Sequence, residues 1–252
     1  GSFGIAKINT NGVLIDDFRD LNLQGSIYDI EINQDGIYIG GEFRLGNDNI
    51  RNLCRLTHDG DLDEQFNISE SPDAAVNTIL TDNGIIYVGG SFVTLNGSSQ
   101  RRISSLKSDG TFNKNFIVGT GFDDVVRKIK FRRDRKILIS GAFDNWKGNQ
   151  ASKIVLVNKL GDYVSGNFNR LNLSNTVYDI DEIAGKTFAF GGSFEESDVS
   201  PYSGVGVVEG FTSSLPPELL LRVNGLNSSI EIVGEADSRH DVEFSIDLIN
   251  WS

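Results

Sequence analysis

Asp59, Asp61, Asp63 and Glu70 occupy positions 1, 3, 5 and 12 of the stretch DGDLDEQFNISE, the spacing with which a calcium loop gathers oxygen ligands. Position 6, however, is Glu64, where the sharp bend of such a loop uses glycine, and the sister turns NGVLIDDF and DGTFNKNF lack the carboxylates. The stretch therefore reads as an acidic turn, with calcium as the weaker alternative and no other cofactor expected. His58 and His240 are the only histidines, and neither has the i, i+4 partner of a zinc-binding helix; both read as exposed turn residues. Cys54 is the only cysteine, which excludes an internal disulfide, and in the alternating NLCRLT it reads as a small buried hydrophobe. Cys54 and His58 share a hairpin, yet no third group completes a nucleophilic triad, and both a G-x-S-x-G elbow and a phosphate loop are absent. Paired carboxylates for glycoside hydrolysis meet in space rather than in sequence, so that chemistry stays open, while no catalytic residue is assigned.

Binding is the chemistry with more to offer. Four polar loops, RLGNDNIRN, VTLNGSSQR, DNWKGNQAS and EESDVSPYSG, each follow a phenylalanine of one repeated motif. Their amides, carboxylates and rings make Asn47, Asp48, Asn96, Asp144, Asn145, Trp146, Asn149 and Tyr202 the candidate contacts, with Trp146 and Tyr202 as flat platforms for sugar or peptide. The alternative is a solvated hairpin rim with one partly packed tryptophan. Modest contacts repeated on one face would add by avidity.

Repeated elements must position those loops. YIGGEF (38–43), YVGGSF (87–92), LISGAF (138–143) and AFGGSF (189–194) place their phenylalanines at Phe43, Phe92, Phe143 and Phe194, at intervals of 49, 51 and 51. A second landmark, a glycine turn followed by phenylalanine, ends at Phe18, Phe66, Phe116 and Phe168, with steps of 48, 50 and 52. Between the landmarks each unit parses into four short strands, as in AVNTILT, IIYVGGSF, RISSLKS and TFNKNF, and Asn83-Gly84 supplies a two-residue hairpin turn. Such a meander cannot bury both faces alone, so units of this period are expected to stack as an all-β propeller. The expected units are 1–18 (partial), 26–66, 75–116, 125–168 and 177–211, about four blades and a part of another within a domain of residues 1–212. The glycine pairs are expected to let neighbouring blades approach, and the phenylalanines to fill the space between them.

The unit VNTILTDNGIIYVGGSF…RRISSLKSDGTFNKNF resembles the delta-60 repeat, a β-propeller repeat of large bacterial surface and secreted proteins and of some phage proteins. The resemblance covers residues 1 to about 211 and departs from the pattern at Asp134-Arg135, at AGKTF (184–188) and after GVGVVEGF. It implies a propeller and a surface setting, and no catalytic residue. Pro216 and Pro217 mark a linker at 213–218. Beyond it LLLRVNG, SIEIVGEA and DVEFSIDL alternate as three strands over 219–252, and VEFSIDLINWS resembles the ending of small β-sandwich modules. The chain opens in the middle of a unit, so a larger parent protein is expected.

The formal net charge of −12 disfavours nucleic acid and anionic membrane, and no apolar run approaches the roughly 18 residues of a spanning helix. The exception is RKIKFRRDRK (127–136), with seven basic residues and one acidic, which reads as a strand face plus a hairpin or else as a patch for an acidic partner. The expected protein is a non-catalytic binding and display scaffold in a large extracellular, cell-surface or virion (phage structural or tail) protein. Its partners would be a surface polymer, glycan or protein receptor, as in adhesion, or neighbouring subunits. A polysaccharide-acting enzyme and a purely structural spacer are the alternatives.

Overall fold

The computed structural model describes residues 5–15, 22–46, 50–164, 168, 171–184, 187–195 and 203–208, together with the backbone of 221–223, 229–232 and 240–243. The described residues contain no α-helix. Four antiparallel meanders follow one another. The first is β1 (Leu23–Asn33), β2 (Gly36–Leu45) and β3 (Arg51–Leu56). The second is β4 (Val76–Asp82), β5 (Ile85–Gly90) and β8 (Ile103–Lys107), with a small ribbon of β6 (Thr94–Leu95) and β7 (Ser98–Ser99) between β5 and β8. The third is β9 (Val126–Phe131), β10 (Ile137–Gly141) and β13 (Ile154–Val157), with the ribbon β11 (Asn145–Trp146) and β12 (Asn149–Gln150). The fourth is β14 (Val177–Ala184), β15 (Thr187–Gly192) and β16 (Val205–Val208).

The expected fourth strand of each unit is reduced to one bridge: Leu56 to Leu62, Leu106 to Phe112 and Val157 to Tyr163. The physical reason lies in the sequence between them. A tight glycine turn leaves an acidic or polar stretch whose residue after the bridge, Asp63 or Asn113, turns its side chain back onto the sheet, to Arg55 at 2.8 Å or Ser105 Oγ at 3.2 Å. Ile8 and Leu14 make the same bridge in the partial first unit. Phe18 and Phe211 lie outside the described residues, as does the linker; the last sheet, β17 (Leu221–Val223), β18 (Ser229–Ile232) and β19 (His240–Glu243), is antiparallel.

Consecutive sheets bury their cores between them. Tyr38 and Leu53 of the first sheet pack with Val76, Ile79, Ile86 and Val88 of the second. Tyr87 and Ile103 of the second pack with Val126, Ile129 and Ile139 of the third, and Leu138 and Ile154 of the third pack with Val177 and Ile180 of the fourth. Phe92 and Phe143 are 0 % exposed and Phe194 is 1 %, so the motif phenylalanines fill the interior as expected. The first strands lie side by side in chain order, β4 against β1, β9 against β4 and β14 against β9.

The motif's two small positions do different work. A Cβ on Gly40 would come within 2.8 Å of Val76 Cγ1, and one on Gly89 within 2.5 Å of Val126 Cγ1, so the first position admits the next sheet as expected. The second position serves its own sheet, which corrects that expectation. A Cβ on Gly41, Gly90, Gly141 or Gly192 would overlap the backbone carbonyl of Ser26, Ala75, Val125 or Thr176, in or just before the paired first strand. Beside those carbonyls the ladder of each sheet skips one residue, as at a β-bulge: Tyr28, Asn77, Arg127 and Tyr178. The first position can therefore be Ser140, while the second is glycine in every copy.

Candidate functional site

The four bulges converge. Tyr28, Asn77, Arg127 and Tyr178, one from each sheet, line a cavity of about 360 Å³ together with Glu42, Ala75 and Ser91. This lies at the lower end of the roughly 300–1,000 Å³ usual for small-ligand pockets. The cavity opens to solvent, and its two tyrosines are about half exposed, Tyr28 at 49 % and Tyr178 at 52 %. Glu42 and Ser91 are also repeat-equivalent, each standing between its glycine pair and its phenylalanine. A bulged residue has no partner across the ladder, so its side chain is free to turn to the end of the strand, and four such residues meet there.

The lining has defined electrostatics. The Tyr28 hydroxyl donates to Glu42 Oε2 at 3.1 Å. Partial burial, that hydrogen bond and the Glu42 charge raise the phenol above its ordinary value, with Arg127 opposing, so Tyr28 is a neutral donor. The Arg127 guanidinium carbon lies 5.7 Å from the Tyr178 ring centroid, a cation–π arrangement. Asn77 donates Nδ2 to the Val126 carbonyl at 2.8 Å, tying the second sheet to the third and directing the amide's acceptor side elsewhere. Below the cavity, Lys128 Nζ of the third sheet stands 3.6 Å from Asp29 Oδ2 of the first. Lys130 pairs with Asp179 and Asp181 of the fourth sheet, at 3.4 and 2.9 Å.

Apart from Arg127, the basic stretch thereby finds its partners within the chain. Arg132 faces Glu182 at 3.6 Å, and Arg135 and Lys159 hold the buried carboxylate of Asp82. Arg135 also takes φ +62° in the turn, the conformation expected of a glycine there.

The candidates named from sequence lie elsewhere. Trp146 is 0 % exposed, its ring 4.4 Å from Phe122 and its Nε1 donating to the Gly161 carbonyl at 3.2 Å; it is a core residue and not a platform. The short ribbon β11–β12 folds the loop back onto the sheet and carries the indole inward. Asn145 donates Nδ2 to Asp123 Oδ2 at 2.7 Å, and Asp144 pairs with Lys153 at 2.8 Å. Asn149 donates to the Trp146 carbonyl at 3.3 Å, and Asn96 to the Gly110 carbonyl at 3.0 Å. Asn47, Asp48 and Tyr202 lie outside the described residues. Asp59, Asp61, Asp63 and Glu70 do not gather as calcium ligands: Asp63 is bound to Arg55 at 2.8 Å, and no three acidic, histidine or cysteine side chains among the described residues form a metal-binding group. Exposed His58 bonds the Asn33 carbonyl at 2.9 Å, and Cys54 is buried, its thiol pushed up to about 12 by desolvation.

Sequence reasoning passed over the bulge residues, although a signal was present. Val76 and Ile79, Val126 and Ile129, Val177 and Ile180, and Ile27 and Ile30 are apolar pairs three apart. In a strand of period 2, that spacing needs one extra residue.

A family model described as "Domain of unknown function (DUF5122) beta-propeller" matches residues 34–66 and 82–116. The matched stretches run from the turn before β2 through the bridge of the first unit, and over the same region of the second. They support a β-propeller repeat family. Among curated proteins no match was found.

Proposed function

We propose that the chain is a non-catalytic binding scaffold of the propeller type, part of a large secreted, cell-surface or virion protein, with its ligand seated at the shared mouth of the sheets. The carrying observation is the convergence of four equivalent bulged residues on one open cavity. Two half-exposed phenol rings offer flat faces for the C–H face of a pyranose. Arg127 has no carboxylate partner among the described residues, and its fork of donors matches a carboxylate. Asn77 and Ser91 suit hydroxyl groups. The set fits an acidic sugar unit, such as a uronate of a surface polysaccharide. Glu42 is the one carboxylate in the lining, and a glycosidase needs two, so binding is favoured over hydrolysis.

Calorimetric titration of the intact chain with oligogalacturonate and with a neutral galactose oligomer tests this. Saturable heat is expected with the acidic oligomer, lost in Arg127→Gln, while Tyr178→Ala weakens both oligomers. Absence of heat with either, or unchanged acidic binding in Arg127→Gln, overturns the proposal.

A further inference from the structure

The flanks of the first and fourth sheets differ from every interior flank. Between sheets, the first-strand pair of each unit is buried: Val76 0 % and Ile79 3 %, Val126 0 % and Ile129 1 %, Val177 0 % and Ile180 1 %. Their equivalents in β1 are Ile27, half-buried, and Ile30, 42 % exposed; Ile32 on the same face is 63 % exposed. On the other side, Gly40 and Gly89 each face a valine and an isoleucine of the following sheet. A Cβ on Gly191 would meet only the Gly204 carbonyl, at 3.8 Å, among the described residues. Gly191 and Gly192 are half-buried, where the other three small pairs are buried.

These are the two halves of the interface the chain already uses three times. The first sheet presents the isoleucine side, and the fourth presents the glycine side. Residues 5–15 show what lies next to the first sheet. Ile8 and Leu14 repeat the outer bridge, and Ile5 packs on the first sheet's core. Lys7 Nζ donates to the His58 carbonyl at 3.1 Å, as Arg55 Nη1 of the first unit donates to the Ser108 carbonyl of the second at 2.6 Å. The segment therefore holds the place of the outer half of a preceding unit.

We infer that the two open flanks form a docking socket for the inner strand pair of a further repeat of the same type. Its second strand would lay a glycine over Ile27 and Ile30. Its first strand would set a valine and an isoleucine against Gly191, and its outer edge would join residues 5–15. The paired chemistry is fixed by the interior copies, so the occupant is a repeat hairpin and not an unrelated apolar surface.

A synthetic peptide with the sequence of residues 75–92 is the probe, added to the intact chain. A saturable, one-to-one rise in melting temperature is expected, with no effect from a scrambled peptide. Gly191→Val fills the space meant for the incoming valine, and Ile30→Asp removes the other anchor; each should abolish the peptide effect. Gly191 lies outside the left-handed region and a Cβ there would meet nothing closer than 3.8 Å among the described residues, so the variant alone should melt like wild type. An equal rise in wild type and Gly191→Val, no binding in wild type, or self-association of the chain with the peptide excluded overturns the inference.

Discussion

Gly90 and its equivalents carry more of the fold than their size suggests. The carbonyl of Ala75 stands where the Gly90 Cβ would be, and a backbone atom cannot rotate away as a side chain does. Gly90→Ala should therefore cost about 3 kcal/mol, the upper end of overpacking costs, read as a lowered denaturation midpoint in urea at unchanged slope. A midpoint within error of wild type would show that the bulge is not held there. Residue identity made the motif legible, since GG and SG recur in register with phenylalanine. The division of labour between the two glycines was not legible, because one position answers to the neighbouring sheet and the other to its own strand partner, and sequence shows neither distance. Trp146 shows the same limit: a polar loop around one aromatic residue reads as rim, and the ribbon that turns the ring inward is only two residues on each side.

At the scale of the strand, the innermost edge of each sheet has backbone N–H groups with no strand to pair with, and the neighbouring sheet supplies acceptors. Asp29 Oδ2 accepts from Ile79 N at 2.8 Å, and Thr78 Oγ1 accepts from Ile129 N at 3.2 Å. Lys128 holds the same position in the third sheet and has no acceptor to offer. Ile180 N instead donates to its own neighbour Asp179 at 2.8 Å, and Ile30 N does the same with Asp29 at 3.1 Å. Thr78→Val keeps the volume and removes the acceptor, leaving the buried Ile129 N–H unsatisfied at a cost of about 1–3 kcal/mol. Amide exchange at Ile129 should accelerate in that variant more than at Ile137, a second-strand residue remote from the change; equal acceleration at both would argue for global loosening instead. The strands themselves were readable from alternation and from Asn83-Gly84, both with positive φ. Their fourth member was over-read: TFNKNF was expected as a strand, and a single bridge at Phe112 is what forms.

Over the whole molecule, titration should bracket stability from both sides. Asp73 and Asp123 lie below the ordinary carboxylate value of 3.8: burial works against this, and the hydrogen bonds they accept from the loops after Phe92 and Phe143, the Asn145 side chain foremost at Asp123 and backbone N–H groups at both, outweigh it. Lowered values favour the fold above pH 3.8 and withdraw that support as pH falls further. Burial raises Tyr87 from 10.0 to about 12, aided by Asp82, and raises Cys54 from 9.0 to about 12. Their support is complete below the ordinary values and disappears as pH climbs toward 12. Melting temperature should thus be flat from about pH 5 to 8 and fall on either side, and Cys54 should resist thiol reagents until the alkaline fall begins. A slope within the plateau would mean that other groups dominate.

The basic strand that stands out against the acidic total finds its partners in other sheets, and no count of charge could pair Lys130 with Asp181 or Lys128 with Asp29. The bulges hold one more implication. Tyr28, Asn77, Arg127 and Tyr178 are each the residue that its ladder skips, so none of them has a partner across its own sheet. On the proposed reading, the residues that would meet a ligand are therefore the ones the ladders leave out, and Asn77, whose amide ties the second sheet to the third, is the one of the four that serves both purposes.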